Sequence, residues 1–234
     1  NNVEGSFHLI ETCARAGVRK FVFSSSAAVY GNPVKIPIPE DHPQIPTNAY
    51  GETKVMIERL LYWYHQIHKI NSISIRYFNA AGAALDGSLG EGHKNESHII
   101  PLAIRAALSK SEFTLFGDDY PTKDGTCIRD YIHVLDLVEA HILALKALES
   151  SPGSVAYNAG TGQGYSNREV IDMVKKVAGE FPVKIGPRRE GDPAELVADS
   201  SKLQKELGWK PKHSDLETIV KTAHLWHKNH PNGY

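Results

Sequence analysis

Three short runs rich in β-branched and aromatic residues, KFVFSSS (20–26), SISIRYFN (72–79) and VAYNAG (155–160), are separated by stretches long enough for amphipathic helices. That alternation constrains the fold more than any other feature. Strand, helix and strand in succession read as a crossover unit, so the strands lie parallel with helices on both faces. In such sheets the reactive groups gather beyond the carboxyl ends of the strands. The serines at 24–26 and YFN at 77–79 stand at two of those ends.

Helices are predicted over 3–16, 49–69, 99–110, 134–149, 166–179, 200–207 and 215–229, with further strands over 113–117, 129–134 and 182–186. Gly17 closes the first helix as a C-cap. Strand 20–24 is apolar enough to be buried on both faces of a parallel sheet. Residues 31–48 carry Pro33, Pro37, Pro39, Pro43 and Pro46 and read as loop, as does the Gly-rich stretch 80–97. The alternation loosens after residue 80, which predicts a second, smaller lobe. The fold class is therefore α/β: part of a doubly wound parallel sheet plus a mixed α/β lobe.

Composition excludes several functions. With 41% hydrophobic and 23% charged residues in 234, the chain has material for a sizeable core. A net charge of −1 gives no footprint for nucleic acid or an acidic membrane surface. No run approaches the ~18 apolar residues of a membrane span, and the first residues read as an amphipathic helix rather than a signal peptide. Cys13 and Cys127 are too few for a disulfide scaffold and fit a reducing, cytoplasmic setting.

The chemistry starts at NAYGETKVMIERLLYWYH (48–65). Alone, a tyrosine and a lysine four places apart are two neighbours on one helix face. Of the ten tyrosines only Tyr50 has this spacing, and it opens a helix. A lysine ammonium at Lys54 favours the phenolate and lowers the tyrosine pKa from its usual ~10, which suits a general base. Ser26, at a strand end 24 residues upstream, offers a hydroxyl to fix the substrate.

FSSSAAVYG, YGETK, RYFNAAG, GDDYPTKDGTCIRDYIHV, YNAGTGQG and RREGDPAELVAD together resemble the extended short-chain dehydrogenase/reductase family, and within it the sugar-nucleotide epimerases. The likeness runs over essentially the whole chain. It implies NAD as cofactor, a UDP-sugar as substrate, and 4-epimerisation of the UDP-glucose/UDP-galactose kind through a transient 4-keto sugar. It implies Tyr50 as base, Lys54 as its modulator and ribose ligand, and Ser26 as hydroxyl partner. Asn1, Ser24, Tyr77 and Phe78 would contact the cofactor alongside Tyr50 and Lys54. Ser26, Asn79, His98, Ile99, Thr114, Phe116, Arg129, Tyr131, Arg189, Asp192 and Leu196 would contact the substrate, the two arginines on its pyrophosphate and 114–116 along the uracil. Residues 1–80 and 129–160 would form the NAD-binding part, and 81–128 and 161–234 the substrate lobe. A homodimer is implied for the complete protein.

The chain departs from that family in three places. The family opens with a strand and a G-x-x-G-x-x-G turn, so the chain is expected to be truncated ahead of Asn1. The nearest glycine turn, AGTGQG (159–164), follows a strand and precedes a helix but lacks the next crossover unit and the acidic ribose ligand of a phosphate cradle. His98 replaces an asparagine common in the family, and Leu196 replaces a tyrosine or cysteine that limits bulk at C2 of the sugar. Two rival functions stay open: a 4,6-dehydratase, which carries Asp-Glu after the serine where this chain has Ala27 and Ala28, and a non-catalytic fragment that binds nucleotide-sugar or a partner. No metal is expected: His224, His227 and His230 drift around a helix without a neighbouring carboxylate. Cys127 reads as a bystander. LYWYHQIH (61–68) reads as an aromatic stripe for core or subunit packing.

Overall fold

A computed structural model describes residues 1–150 and 153–233. In chain order the elements are α1 (Asn2–Arg15), β1 (Lys20–Ser24), a 3-10 turn (Ala27–Tyr30), α2 (Ala49–His68), β2 (Asn71–Tyr77), β3 (Asn79–Ala81), α3 (Ile99–Ser109), β4 (Phe113–Phe116) and β5 (Ile128–His133). Then come α4 (Val134–Ala147), β6 (Ser154–Ala159), β7 (Gly164–Ser166), α5 (Asn167–Ala178), β8 (Val183–Gly186), β9 (Glu195–Leu196), α6 (Ser201–Leu207) and α7 (Leu216–Asn229).

β1, β2 and β6 form a parallel sheet in that spatial order, with Val22 opposite Ile73 and Ile75 opposite Tyr157. Successive side chains point to opposite faces, and the sequence exploits this. Phe21 and Phe23 pack with Ile10, Ile57, Leu61 and Ile70, so α1 and α2 cover one face. Val22, Ile73 and Ile75 pack with Leu137, Ala140, Ala144, Leu203 and Trp209, so α4 and α6 cover the other. Each fully buried aliphatic side chain in these clusters contributes roughly 1.5–3 kcal/mol. β1 departs from the expectation of a strand buried on both faces. Phe21, Val22 and Phe23 are half-buried and both ends are exposed. The cause is position: β1 is an edge strand, and among the described residues only β2 pairs with it.

Outside that sheet the strands are mostly short and mixed in direction. β5 runs parallel to β3 and β9 but antiparallel to β7, and β4 pairs in parallel with β8. Helices α3, α5 and α7 bury Ile104, Val170, Val174, Ile219 and Val220 against Leu115 and Tyr131. The helix ends follow local chemistry. Asn48 caps α2 by accepting from Gly51 N at 2.8 Å, and Ser166 with Glu169 makes a reciprocal capping box on α5.

A polar network braces the proline loop. Arg76 on β2 pairs with Glu58 on α2 at 2.6 Å, their side chains only 7% and 10% exposed. Glu58 also accepts from Ser25 Oγ (2.5 Å) and Gln44 Nε2 (2.9 Å). Arg76 Nη1 donates to the Tyr30 hydroxyl and the Glu40 carbonyl, and Tyr30 donates to Asn158 Oδ1 at 2.6 Å. The loop of 31–48 is thus tied to β2, α2 and β6 by groups whose hydrogen bonds are shielded from water. Burial pushes the Tyr30 phenol up to about 12 despite the arginine beside it.

Candidate active site

The head of α2 is set down on the serine turn at close range. A Cβ on Gly51 would meet the Ala28 carbonyl oxygen at 2.3 Å, so only glycine fits between Tyr50 and the backbone that follows Ser26. Ser26 caps the 3-10 turn, its Oγ accepting from Ala28 N at 3.2 Å. Tyr50 is 46% exposed. Lys54, one turn on, donates from Nζ to the Ser24 carbonyl at 2.8 Å, and its ammonium lies 5.4 Å from the centroid of the Tyr50 ring. Burial lowers the Lys54 pKa. The lysine therefore ties the carboxyl end of β1 to the tyrosine helix and places a positive charge beside the ring. Ser24 Oγ is engaged by His141 Nε2 at 2.8 Å. Tyr77 closes β2 nearby, its phenol pushed up by burial and then by Tyr50. Asn1 precedes α1, and the Asn2 amide donates to Thr53 Oγ1 at 3.2 Å, which brings the start of α1 to the first turns of α2.

Two cavities open next to one another. The first, of about 240 Å³, is lined by Asn79, His98, Ile99, Thr114, Phe116, Arg129, Tyr131, Arg189 and Asp192 together with Ser97, Leu102, Phe113, Leu115 and Asn167. The second, of about 200 Å³, is lined by Ser26, Ala27, Ala28, Gly31, Thr47, Asn48, Phe78, Asn79, Arg129, Gly191, Asp192, Pro193 and Leu196. Asn79, Arg129 and Asp192 line both, so the two cavities are neighbours along one side of the molecule. Every residue expected to contact substrate lines one or the other. Asn1, Ser24, Tyr50, Lys54 and Tyr77 line neither; Tyr50 sits two residues beyond Asn48, which does. Asn167, Thr47 and Pro193 were not anticipated, because nothing in their local sequence sets them apart from ordinary loop and cap residues.

The two adjacent arginines separate sharply. Arg188 bonds the side chain and carbonyl of Asp119 and covers the Tyr120 ring. Arg189 stacks over Phe116 at 4.4 Å and faces the cavity, with no ion pair among the described residues. Arg129 is mostly buried (13% exposed) and held loosely by Asp192 at 3.8 Å. Tyr131 is 3% exposed, and burial pushes its phenol up strongly. At the far end the Glu91 carboxylate, 2.7 Å from His98 Nδ1, raises that imidazole's pKa.

The glycine turn at 159–164 is no phosphate cradle. The buried Asp130 carboxylate fills it, accepting from Thr161 N (2.8 Å), Thr161 Oγ1 (2.8 Å), Gly162 N (2.9 Å) and Ala198 N (3.1 Å). Burial raises the Asp130 pKa against those donors. A side chain at Gly160 would strike Asp130 Oδ2 at 2.7 Å. The turn is built around its own internal anion.

A Tyr-x-x-x-Lys helix docked beyond the carboxyl ends of a parallel sheet, next to an arginine-bearing cleft, defines a short-chain dehydrogenase/reductase of the extended type. Residues 1–160 match the NAD dependent epimerase/dehydratase family, and the chain belongs to that family. It is 48% identical over 236 aligned residues to the UDP-glucose 4-epimerase of Lacticaseibacillus casei, spanning 100% of this chain and 71% of that one. It is 51% identical to the enzyme of the same name from Lactobacillus helveticus, covering 72% of it. Among solved structures it is similar to UDP-glucose 4-epimerase from Bifidobacterium longum in complex with NAD+ and UDP. The TM-score there is 0.93 at 39% identity, over 100% of this chain and 71% of that one.

Proposed function

We propose that this chain carries the catalytic and sugar-nucleotide-binding residues of an NAD-dependent UDP-sugar 4-epimerase, acting on UDP-glucose and UDP-galactose. The observation that carries the reading is the pair of adjacent cavities. Together they are lined by all the expected substrate residues from Ser26 to His98, with the Tyr50 helix packed at the Ser26 end. Arg129 and Arg189 offer planar guanidinium groups to a pyrophosphate. Phe116 and Thr114 border the same cavity and suit a uracil ring. Asn79, fixed by donating to the Asp130 carbonyl at 3.1 Å, lies where the two cavities meet.

The residues at the head of α2 fit the nicotinamide–ribose end of NAD: a lysine ammonium fixed on a strand end beside the Tyr50 ring, with Tyr77 next to Tyr50 and Phe78 packed in the core that includes Val55 of the same helix. Bound NAD supplies a reversible hydride acceptor at the sugar C4. Tyr50 takes the proton from the 4-hydroxyl and later returns one to the 4-keto oxygen. Lys54 places its positive charge beside the ring on which negative charge develops. Ser26 hydrogen-bonds the same hydroxyl and steadies it. Ala27 and Ala28 follow Ser26, so the turn presents no carboxylate for eliminating water, which favours epimerisation over dehydration. The substrate-holding lobe is 81–128 and 161–234; the cofactor-holding part is 1–80 and 129–160.

Tyr62, Trp63 and Ile67 of α2 point outward at 49%, 59% and 69% exposure, while Leu61 and Tyr64 are buried. That outward face suits pairing of two chains, and size-exclusion chromatography of the protein reads its assembly. A cytoplasmic setting accords with two free cysteines and with no helix among the described residues being long and apolar enough to cross a membrane.

The test is Tyr50→Phe in the protein carrying this chain. The ring keeps its packing and only the proton acceptor goes, so UDP-galactose turnover should fall by ~10²–10⁴. UDP affinity by calorimetry should hold. Near-normal turnover in that variant would overturn the reading.

A further inference from the structure

In the Gly-rich loop ahead of α3, four side chains converge: Glu91, His93, Glu96 and His98 each offer one donor atom, all within 4.8 Å of one another. Glu91 Oε1 lies 2.7 Å from His98 Nδ1 and 3.0 Å from His93 Nδ1. Glu96 Oε1 lies 3.1 Å from His98 Nδ1, and Glu96 Oε2 lies 3.5 Å from His93 Nδ1. Both imidazoles thus turn the same nitrogen into the space between two carboxylates.

The separations suit a small tetrahedral ion. Zinc bonds imidazole nitrogen at about 2.0–2.1 Å and carboxylate oxygen at about 2.0–2.2 Å, which sets neighbouring ligand atoms about 3.3–3.5 Å apart. Small shifts of the exposed histidines, 54% and 55% exposed, bring the four donors onto such a tetrahedron. Two carboxylates and two neutral imidazoles also balance a 2+ charge.

A second observation points the same way. The Glu96 side chain is fully buried at 0% exposure. Its Oε1 accepts from Ser97 N at 2.7 Å and His98 N at 2.8 Å, but its Oε2 has no hydrogen-bond partner among the described residues. A buried carboxylate oxygen without a donor costs stability unless an ion answers it. The ground beneath the cluster is firm. Trp226, 1% exposed on α7, donates from Nε1 to the Glu91 carbonyl at 2.9 Å, and its ring packs so tightly on Gly90 that a Cβ there would lie 2.2 Å away.

We infer that Glu91, His93, Glu96 and His98 form a binding site for a divalent transition-metal ion of the zinc type, at the wall of the substrate cleft. Two nitrogen and two oxygen donors select such an ion over magnesium or calcium, which take oxygen ligands. Because His98 both donates to the ion and lines the cleft at the start of α3, the ion fixes the loop 91–98 and the end of the cleft. Its role is structural; the chemistry proposed above for Tyr50 does not depend on it.

The test is titration of the metal-free protein with Co²⁺, read by d–d absorbance, with far-UV circular dichroism on every variant. One equivalent should bind with the intense visible bands of a tetrahedral site. Loss of a second-sphere partner alone costs ~10–100-fold in metal affinity, so Glu96→Gln and His93→Ala should each weaken binding by at least that much. His8→Ala, at an exposed histidine on α1, should leave it unchanged. Adding Zn²⁺ should bleach the bands. An absence of tetrahedral bands, or bands that survive in Glu96→Gln and His93→Ala, would overturn the site. UDP affinity measured alongside separates this result from the reading of the cleft: its retention with no cobalt spectrum refutes the metal site alone.

Discussion

Removing Glu58 should expose how the proline loop is held. Its carboxylate answers Arg76 at 2.6 Å with both side chains nearly sealed from water, and it also accepts from Ser25 and Gln44. Glu58→Leu fills the space but leaves the guanidinium buried without its counter-charge. Breaking a buried pair in this way costs about 3–5 kcal/mol. The surviving Arg76 contacts, to the Tyr30 hydroxyl and the Glu40 carbonyl, are neutral acceptors and do not replace the charge. Removing both partners, as in Glu58→Leu with Arg76→Met, removes the stranded charge, and the double variant should recover most of the loss. Urea unfolding followed by circular dichroism, with the slope checked for constancy, gives each free energy. A single-variant loss under about 1 kcal/mol, or a double variant as unstable as the two singles added together, would refute the claim that this pair braces the proline loop.

Three further outcomes are expected. Arg189→Met should weaken UDP binding roughly 10–150-fold, the worth of a hydrogen bond to a charged group, whereas Arg188→Met, whose partner is Asp119, should change it little; equal losses by calorimetry would contradict the division between them. Leu196→Tyr should cut activity on N-acetylated UDP-sugars relative to the plain sugars by at least ~10-fold through steric exclusion, and unchanged activity ratios would remove Leu196 from the sugar's C2 side. Asp124 is raised by burial but pulled lower overall by the Ser166 and Thr126 hydroxyls and the Thr126 amide. Its folded pKa thus lies below the unfolded 3.8, so its contribution is whole above that value and fades as the pH falls through the folded pKa. The stability gap between the protein and Asp124→Asn should therefore close on acidification, and a gap independent of pH would contradict it.

The long elements were legible because each had a period or a cap to announce it. β2 read as a strand from its β-branched run, β6 from the short VAYNAG stretch between turn residues, and α2 from an amphipathic pattern opened by Tyr50. The pairings of β3, β7 and β9 were not legible: two or three residues carry no periodicity, and only the neighbouring β5 makes them strands. The half-exposure of β1 was missed for a related reason, since apolar character does not reveal which strand lies at an edge. In the cleft, the expected positions converge because the motif blocks sit at strand ends and helix starts. Asp130 gave no signal, for its role in filling the 159–164 turn arises from a contact 31 residues away. The Glu91–His98 cluster is not legible in the sequence because its spacing fits neither a helix nor a strand; a folded loop alone brings its donors together.

The central claim, that the sugar C4 loses and regains its hydrogen on a single bound molecule, is tested most directly with UDP-galactose deuterated at C4. Incubated with NAD and the protein carrying this chain, it should yield UDP-glucose with deuterium retained at C4, and no NADH should accumulate. Deuterium lost to solvent, a 4-keto-6-deoxy product, or steady accumulation of NADH would contradict the account.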